Sequence, residues 1–188
     1  AELADNINRG HLQNLTSDGF HRCEDPEDID HRGVELLSPT TKYSFNDQLR
    51  RFVDWWYRQI VALTDEQSKH FQSASRYDSS SGFSSTFRNV VQQRMSSLDA
   101  SQILTFTNLY LFGADRLNEA FHEIFRRKAS IPVQSAFLPG EPVMVTENDY
   151  DRGLYNGDQG LIAKIQFTDE SEPVHGAVFQ GKNGLLAY

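Results

Sequence analysis

The sequence has one cysteine and no long apolar run. Cys23 is the only cysteine among 188 residues, so no internal disulfide can form, and a reducing, cytoplasmic setting is expected. No apolar segment approaches the ~18 residues that a membrane-spanning helix needs. Residues 1–5 lack the basic and apolar regions of a signal peptide. These absences predict a globular chain without a membrane partner, in agreement with a mean hydropathy of −0.55.

Positive charge is scarce as well. The chain has 18 Lys and Arg residues against 26 Asp and Glu residues, which gives a net charge of −8. This balance argues against a module that binds DNA tightly through phosphate neutralisation alone, although a local groove can be basic within an acidic whole. Two basic clusters, Arg50–Arg51 and Arg126–Lys128, are predicted to lie on solvated helix faces.

Signatures of common catalytic sites are missing. No G-x-x-x-x-G-K-[ST] phosphate loop occurs, because the one Gly-Lys pair, Gly181–Lys182, is followed by Asn183. There is no nucleophile elbow or dinucleotide fingerprint, and the Asp and Glu pairs fall in acidic loops. His21, Cys23 and His31 fit no common zinc spacing. The sequence therefore predicts no catalytic residue, no metal site and no ATPase activity for this chain alone.

Helical periodicity dominates the first two thirds of the chain. A strong amphipathic helix is predicted over 45–63, capped by Asn46 or Ser44, and further helices over 83–95 and 117–125. Their apolar residues recur at spacings of three and four: Phe45, Leu49, Phe52, Val53, Trp56, Ile60 and Leu63; Phe83, Phe87, Val90, Val91 and Met95; Leu117, Ala120, Phe121, Ile124 and Phe125. These faces are expected to form a protein core.

Shorter elements are predicted between these helices. A helix over 3–7, ended by Gly10, has no start signal, which suggests a chain cut within a longer protein. A short strand is predicted over 34–37, and the serine-rich segment 73–85 is predicted to be a flexible loop. The β-prone run 103–107 is predicted to be a buried strand of the parallel type, followed by a turn and the third helix.

The pattern changes after Pro132, where short β-prone runs alternate with turn signals. Asn156-Gly157 is a tight-turn dipeptide, and Gly153 also permits a positive φ. Four strands are predicted: Val143–Thr146, Leu161–Phe167, Val174–Phe179 and Leu185–Tyr188. Several short strands joined by short turns indicate a small β-barrel of the SH3 type.

One run in this region carries a family resemblance. From Gly140 the sequence reads Gly-Glu-Pro-Val-Met-Val-Thr-Glu-Asn-Asp-Tyr-Asp-Arg-Gly-Leu-Tyr-Asn-Gly-Asp-Gln-Gly-Leu-Ile. It resembles the barrel signature of RecD-like helicases of superfamily 1B, the alpha subunit of exodeoxyribonuclease V. Ile103–Asn118 is similar to a strand and helix in the family's second RecA-like domain, and Leu3–Gly10 is similar to the helix after its motif III.

The resemblance implies an α/β chain with two parts. Residues 1–132 would be part of the second RecA-like helicase domain, of the P-loop helicase type, with inserted helices. Residues 133–188 would be a truncated SH3-like β-barrel. The parent protein would be an ATP-dependent 5′–3′ DNA helicase in recombinational double-strand-break repair, with ATP and Mg²⁺ as its cofactors. Its partners would be single-stranded DNA and the beta and gamma subunits of exodeoxyribonuclease V.

The resemblance also implies contacts for the barrel. Arg152 and Lys164 would meet phosphates and Tyr155 would stack on a base, and the turn residues Asn148 and Asn156 are further DNA-binding candidates. An equally open alternative is that the run only builds the barrel.

Near the predicted strand 103–107, Thr105 and Asn108 are the candidates for a nucleotide-proximal position. The family tends to have basic residues and a glycine just before the position of Gly113. Here Asn108-Leu109-Tyr110 stand instead, which indicates a lost phosphate contact.

Two other functions remain open. The helicase portion of a conjugative relaxase shares the barrel. A non-catalytic module that binds protein partners and never touches DNA would suit the acidic charge.

Overall fold

The chain divides into two units, residues 1–56 and residues 57–188. The computed structural model describes residues 21–30, 35–37, 43–105, 107–109, 113–129, 136–170, 172–181 and 184–188. The predicted helix over 3–7, His31 and the predicted boundary at 132–133 lie outside these residues. Within the described ranges, no helix combines the length and apolar character needed to cross a membrane.

The described residues of the first unit form two short strands, a 3₁₀ turn and an α-helix. Strands β1 (His21–Cys23) and β2 (Glu35–Leu37) pair in parallel, and a 3₁₀ turn, Pro26–Asp28, follows β1. The described part of the predicted strand over 34–37 is thus confirmed.

Helix α1 (Phe45–Trp56) begins where its cap predicts. Of the two candidate caps, Ser44 is the one used, because its Oγ accepts a hydrogen bond from the Asp47 amide at 3.2 Å. The α-helix ends at Trp56, and the next five residues of the predicted range 45–63 form a π-helical turn.

The second unit begins with a π-helical turn, Tyr57–Val61, and three α-helices follow among its described residues. They are α2 (Asp65–Gln72), α3 (Ser85–Asp99) and α4 (Ala114–Ala129). Thr64 caps α2 with a reciprocal capping box, and Ser84 caps α3. The helices predicted over 83–95 and 117–125 are therefore confirmed, with boundaries two to four residues away.

Six strands of the second unit form one mixed sheet. They are β3 (Ser75–Asp78), β4 (Gly82–Phe83), β5 (Pro142–Met144), β6 (Gln159–Phe167), β7 (Val174–Gly181) and β8 (Gly184–Ala187). The order is β4-β3-β6-β7-β8, and β5 shares one edge of β6 with β3. β3 pairs with β6 in parallel, whereas β5 and β7 pair with it antiparallel.

One face of this sheet carries the core of the second unit. Alternate β6 residues Leu161, Ala163 and Ile165 are fully buried against helices α2 and α3. The buried cluster consists of Phe71, Phe83, Phe87, Val90, Val91, Leu161, Ala163, Ile165, Val178 and Leu185. The opposite face, with Ile162, Lys164 and Phe179, is the one that matters for the candidate site.

The predicted flexible loop over 73–85 is wrong. Strands β3 and β4 form a hairpin there, and the Tyr77 and Phe83 rings pack with centroids 4.8 Å apart. The serines close the turn, because the Asp78 Oδ1 atom accepts hydrogen bonds from the Ser80 amide at 2.8 Å and the Ser81 amide at 3.1 Å. Serine-rich composition here marks a tight turn rather than flexibility.

The predicted buried strand over 103–107 is also wrong for its described residues, which are irregular, while Phe106 lies outside them. Threonine hydroxyl groups here form hydrogen bonds with backbone amide and carbonyl groups, which in a sheet would bond to a neighbouring strand. Thr105 Oγ1 donates to the Thr107 carbonyl at 3.0 Å, and Thr107 Oγ1 accepts from the Leu109 amide at 3.2 Å. Leu104 is 88% exposed, which is incompatible with a buried strand.

The predicted class, mixed α/β, is confirmed, but the predicted closed SH3-like barrel is wrong. The sheet has free edges at β4 and β8. These edge strands approach each other to within 8 Å between Cα atoms without pairing, so the sheet curls but stays open. Strands β3 and β4, which were not predicted, take part in this curl.

Candidate nucleic-acid interface

Four of the five candidate DNA-binding residues lie in the loop between β5 and β6, residues 145–158, here called the β5–β6 loop. Its base is closed by hydrogen bonds from the Val145 amide to the Asp158 carbonyl and from the Gly157 amide to the Val145 carbonyl, both 2.9 Å. Within it, Asp149 and Leu154 exchange two backbone hydrogen bonds of 2.8 and 2.9 Å. The loop is therefore a small hairpin with its own ladder.

Two glycines allow the loop its turns. Gly153, with φ 67°, ends the turn that begins at Tyr150. Gly157, with φ 96°, lies in the turn from Tyr155 to Asp158, closed by a 2.9 Å hydrogen bond. Both glycines have the left-handed backbone that other residues adopt at a cost, so the local sequence specifies the loop shape.

Asn148 holds the two arms of the loop together. Its Oδ1 atom accepts from the Asn156 amide at 2.8 Å, and its Nδ2 atom donates to the Tyr150 hydroxyl at 2.9 Å. The side chain of Asn148 is thus used for structure, and Asn156 is fixed through its backbone. Both residues position the aromatic side chains beside them.

Two tyrosines stand out from this loop. Tyr155 is 52% exposed and Tyr150 is 74% exposed. Their ring centroids are 6.2 Å apart at an interplanar angle of 77°. Tyr150 was missed from the sequence, although its place on the opposite arm from Tyr155, across Gly153, is a signal that could have identified it. Exposed rings of this kind offer flat surfaces for base stacking.

Arg152 is exposed but paired. Its Nη1 atom lies 2.6 Å from Asp149 Oδ2, and its amide donates to Asp149 Oδ1 at 3.1 Å. These hydrogen bonds lower the pKa of Asp149, and the carboxylate in turn raises the pKa of Arg152. The carbonyl of Arg152 accepts from the Tyr188 hydroxyl at 2.6 Å, which ties the loop to the sheet.

Lys164 lies on the face of the sheet from which the Tyr188 side chain reaches the Arg152 carbonyl. Tyr188 exchanges backbone hydrogen bonds with Ala177, and Ala177 is in register with Ile162. Residues two apart on a strand share a face, so Lys164 follows Ile162 on the face that the Tyr188 side chain reaches. His175 stands directly opposite Lys164 on β7 and is exposed. The structure thus places four of the five predicted DNA-binding candidates in the β5–β6 loop and the fifth, Lys164, on the sheet face that Tyr188 reaches.

The charge of the β5–β6 loop is negative. Four carboxylates, those of Glu147, Asp149, Asp151 and Asp158, accompany the single guanidinium of Arg152. Positive charge on this face comes mainly from Lys164 on the neighbouring strand. A nucleic acid would therefore meet aromatic rings at the loop and a cation beside it.

Thr105 and Asn108 lie elsewhere, in the segment before α4. The carbonyls of Thr107 and Asn108 accept from the first helical amides, those of Ala114 and Asp115, at 3.0 and 3.2 Å. A Cβ atom on Gly113 would lie 2.3 Å from the Asn108 carbonyl oxygen. The backbone carbonyls before α4 therefore pack directly against the first residues of the helix. These amides are occupied and offer no cradle to a phosphate.

The residue spacing of a phosphate loop occurs over residues 176–182, but the backbone there does not have the phosphate-loop conformation. Gly176, Gly181 and Lys182 stand at G-x-x-x-x-G-K positions. Val174–Gly181 is a paired strand, whereas a phosphate loop leaves a strand and enters a helix. A Cβ at Gly176 would meet the Tyr188 carbonyl oxygen at 2.7 Å, so this glycine serves the close packing of β8. The stretch Val174–Gly181 therefore lacks the strand-to-helix geometry of a phosphate loop.

No protein-family model matches the sequence, and no curated protein matches it.

Proposed function

We propose that this chain belongs to a RecD-like DNA helicase subunit and that its β5–β6 loop contacts single-stranded DNA. One observation carries the proposal: Tyr150 and Tyr155 are exposed on a loop fixed by side-chain hydrogen bonds, and the Tyr188 hydroxyl links that loop to the sheet. The resemblance of the run from Gly140 to the family's barrel signature supports it.

The chemistry of this face suits a flexible single strand. Base stacking on an aromatic side chain contributes about 1–3 kcal/mol per base and does not depend on sequence. Lys164, on the sheet face that Tyr188 reaches, supplies a phosphate contact. Arg152 can supply a second one only by sharing its guanidinium between a phosphate and Asp149.

The parent protein, in this proposal, unwinds DNA 5′ to 3′ with ATP and Mg²⁺, in a cytoplasmic exodeoxyribonuclease V with beta and gamma subunits. The described residues of this chain form no phosphate cradle, so the nucleotide would be held by other parts of that protein. This chain would contribute a wall of the single-stranded DNA channel. The helicase portion of a conjugative relaxase would use the same face in the same manner.

Charge favours a second candidate, a module that binds proteins and not DNA. The net charge is −8, and four of the five charged residues of the β5–β6 loop are carboxylates. Tyrosines within an acidic loop are also suited to a basic protein surface, since aromatic residues are enriched at interfaces.

Fluorescence anisotropy with labelled oligo-dT distinguishes the two candidates. If the loop contacts DNA, the double variant Tyr150→Ala/Tyr155→Ala binds at least about 10-fold more weakly, which is about 1.4 kcal/mol of lost stacking. Phe137→Ala is the matched control, because Phe137 is a 55% exposed aromatic residue outside the loop. Absence of oligo-dT binding by the unaltered chain at low salt would favour the protein-binding module and reject the DNA contact.

A further inference from the structure

The first unit contains a cluster of three metal-ligating side chains on its two strands. His21 and Cys23 are two residues apart on β1, so they share a face, and Glu35 on β2 is in register with His21. One nitrogen, one sulfur and one oxygen atom of these residues all lie within 4.8 Å of one another. The sequence pattern did not reveal the group, because Glu35 joins it through strand pairing rather than spacing.

The distances in this cluster are close to those around a four-coordinate ion. His21 Nδ1 is 3.8 Å from Cys23 Sγ and 3.5 Å from Glu35 Oε1. Tetrahedral zinc with ordinary bond lengths places a nitrogen and a sulfur ligand about 3.6 Å apart, and a nitrogen and an oxygen ligand about 3.3 Å apart. The two distances from His21 Nδ1 thus exceed the tetrahedral values by about 0.2 Å each, and the Cys23 and Glu35 ligand atoms lie within 4.8 Å of each other.

A catalytic triad is a poorer account of the same residues. In a triad the histidine uses one ring nitrogen for the nucleophile and the other for the carboxylate. Here Cys23 Sγ and Glu35 Oε1 both approach the same atom, His21 Nδ1. Burial, followed by the nearby carboxylates of Glu35, Asp28 and Asp30, raises the pKa of the Cys23 thiol, which opposes a nucleophilic role.

The surroundings favour a cation. The segment between the two strands carries five carboxylates, those of Glu24, Asp25, Glu27, Asp28 and Asp30. The Asp30 amide donates to Glu35 Oε1 at 2.8 Å and so orients that carboxylate, as outer hydrogen bonds do around metal ligands. The exposed side chain of His21 leaves one side of the cluster open to a water ligand.

We propose that His21, Cys23 and Glu35 bind one divalent ion of the zinc class, with water in the fourth position. Thiolate, imidazole and carboxylate together select Zn²⁺ over Mg²⁺ and Ca²⁺, which prefer sites made of oxygen atoms alone. Binding converts the thiol to a thiolate and releases its proton to solvent. The ion would fasten β1 to β2, independently of any contact between the second unit and DNA.

Cobalt spectroscopy on the full, chelator-treated chain tests this site. Co²⁺ should bind one per chain, with a thiolate-to-metal charge-transfer band in the near ultraviolet and the intense visible bands of four-coordination, and Zn²⁺ should abolish both. Excess Mg²⁺ should leave them unchanged. Weak visible bands typical of six-coordination, without charge transfer, would overturn the proposal.

Variants identify the ligands. His21→Gln and Glu35→Gln should each weaken Co²⁺ binding by at least about 100-fold, since even the loss of an outer partner costs 10- to 100-fold. Cys23→Ala should remove the charge-transfer band. Because Cys23 is buried, its variant can fail to fold. The affinities of His21→Gln and Glu35→Gln for Co²⁺ therefore decide whether these residues are ligands. Glu24→Gln and His175→Gln are the matched controls, and wild-type affinity in both ligand variants would refute the site.

Discussion

The Nδ1 atom of His122 on α4 lies 2.6 Å from Oε1 of Glu141, the residue before β5. The other carboxylate oxygen of Glu141 accepts from the Leu138 amide at 3.1 Å. One partly buried carboxylate therefore joins helix α4 to the start of the strand that precedes the β5–β6 loop.

Removing this link should destabilise the second unit. We expect His122→Gln and Glu141→Gln each to cost about 1–2 kcal/mol, because a charge-assisted hydrogen bond is lost where water is partly excluded. The double variant should show a coupling energy of about 1 kcal/mol in urea unfolding. His175→Gln serves as the control for histidine loss, and strictly additive effects would contradict the link.

Arg94 should be the most sensitive charged residue of the second unit. It is 2% exposed, and its guanidinium donates to the Ile60 and Val61 carbonyls at 3.0 and 2.5 Å, at the end of the π-helical turn. Burial lowers the pKa of Arg94 to about 10, so the group stays charged at neutral pH. The carbonyls at the negative end of the turn take the place of a carboxylate partner.

Arg94→Ala should lower the free energy of unfolding by about 2–4 kcal/mol. The variant leaves a cavity and two carbonyl groups without their donor, which outweighs the relief from burying a charge. Arg88→Ala, an exposed position on the same helix, should change it by less than about 0.5 kcal/mol. Equal unfolding midpoints in urea for the two variants would show that Arg94 does not hold the turn.

Local signals in the sequence located most strands and helices, but pairings between distant segments were missed. Strands β6, β7 and β8 follow from alternation and turn residues that lie next to them. The parallel pairing of Ser75 with Ile165 joins residues about ninety positions apart, and no local pattern indicates it. The predicted barrel failed for this reason, because the sheet also includes β3 and β4, and its edge strands β4 and β8 do not pair.

In the candidate site too, local features could be predicted from the sequence, whereas relations between distant segments could not. Arg152 and Tyr155 were identified from turn and motif residues. The ion pair of Arg152 with Asp149 joins residues three positions apart, so the local sequence could have predicted it. The position of Lys164 on the face that Tyr188 reaches depends on the register of β6, β7 and β8, which only the folded sheet fixes.

Asp78 should make the β3–β4 hairpin sensitive to acid. Hydrogen bonds from Ser80 and Ser81 lower the pKa of Asp78 from 3.8 to about 2. Because the folded pKa lies below the unfolded one, this contribution to stability is full above about pH 4 and is lost as the pH falls through 2. The melting temperature of Asp78→Asn should therefore fall less than that of the unaltered chain between pH 5 and pH 2. Asp99→Asn is the control, and parallel curves for all three proteins would contradict the assignment.

The two cations on the candidate interface should determine its salt dependence. If Arg152 and Lys164 each contact a phosphate, the double variant Arg152→Ala/Lys164→Ala lowers the slope of log K against log salt by about 1.4, at about 0.7 per contact. Arg127→Ala/Lys128→Ala removes the same charge from two exposed positions on α4 and should leave the slope unchanged. Identical slopes for both double variants would remove these two residues from the DNA contact.

Releasing Arg152 from its partner should strengthen DNA binding. Asp149→Asn keeps the Oδ1 acceptor for the Arg152 amide but removes the charge that holds the guanidinium at 2.6 Å. Because exposed ion pairs contribute about 0.2–1 kcal/mol, we expect oligo-dT affinity to rise by up to about 5-fold. Asp151→Asn makes the same change in net charge on the neighbouring exposed residue. A gain that is equal in both variants would show that the loop repels DNA through net charge alone, and that the guanidinium of Arg152 forms no specific contact.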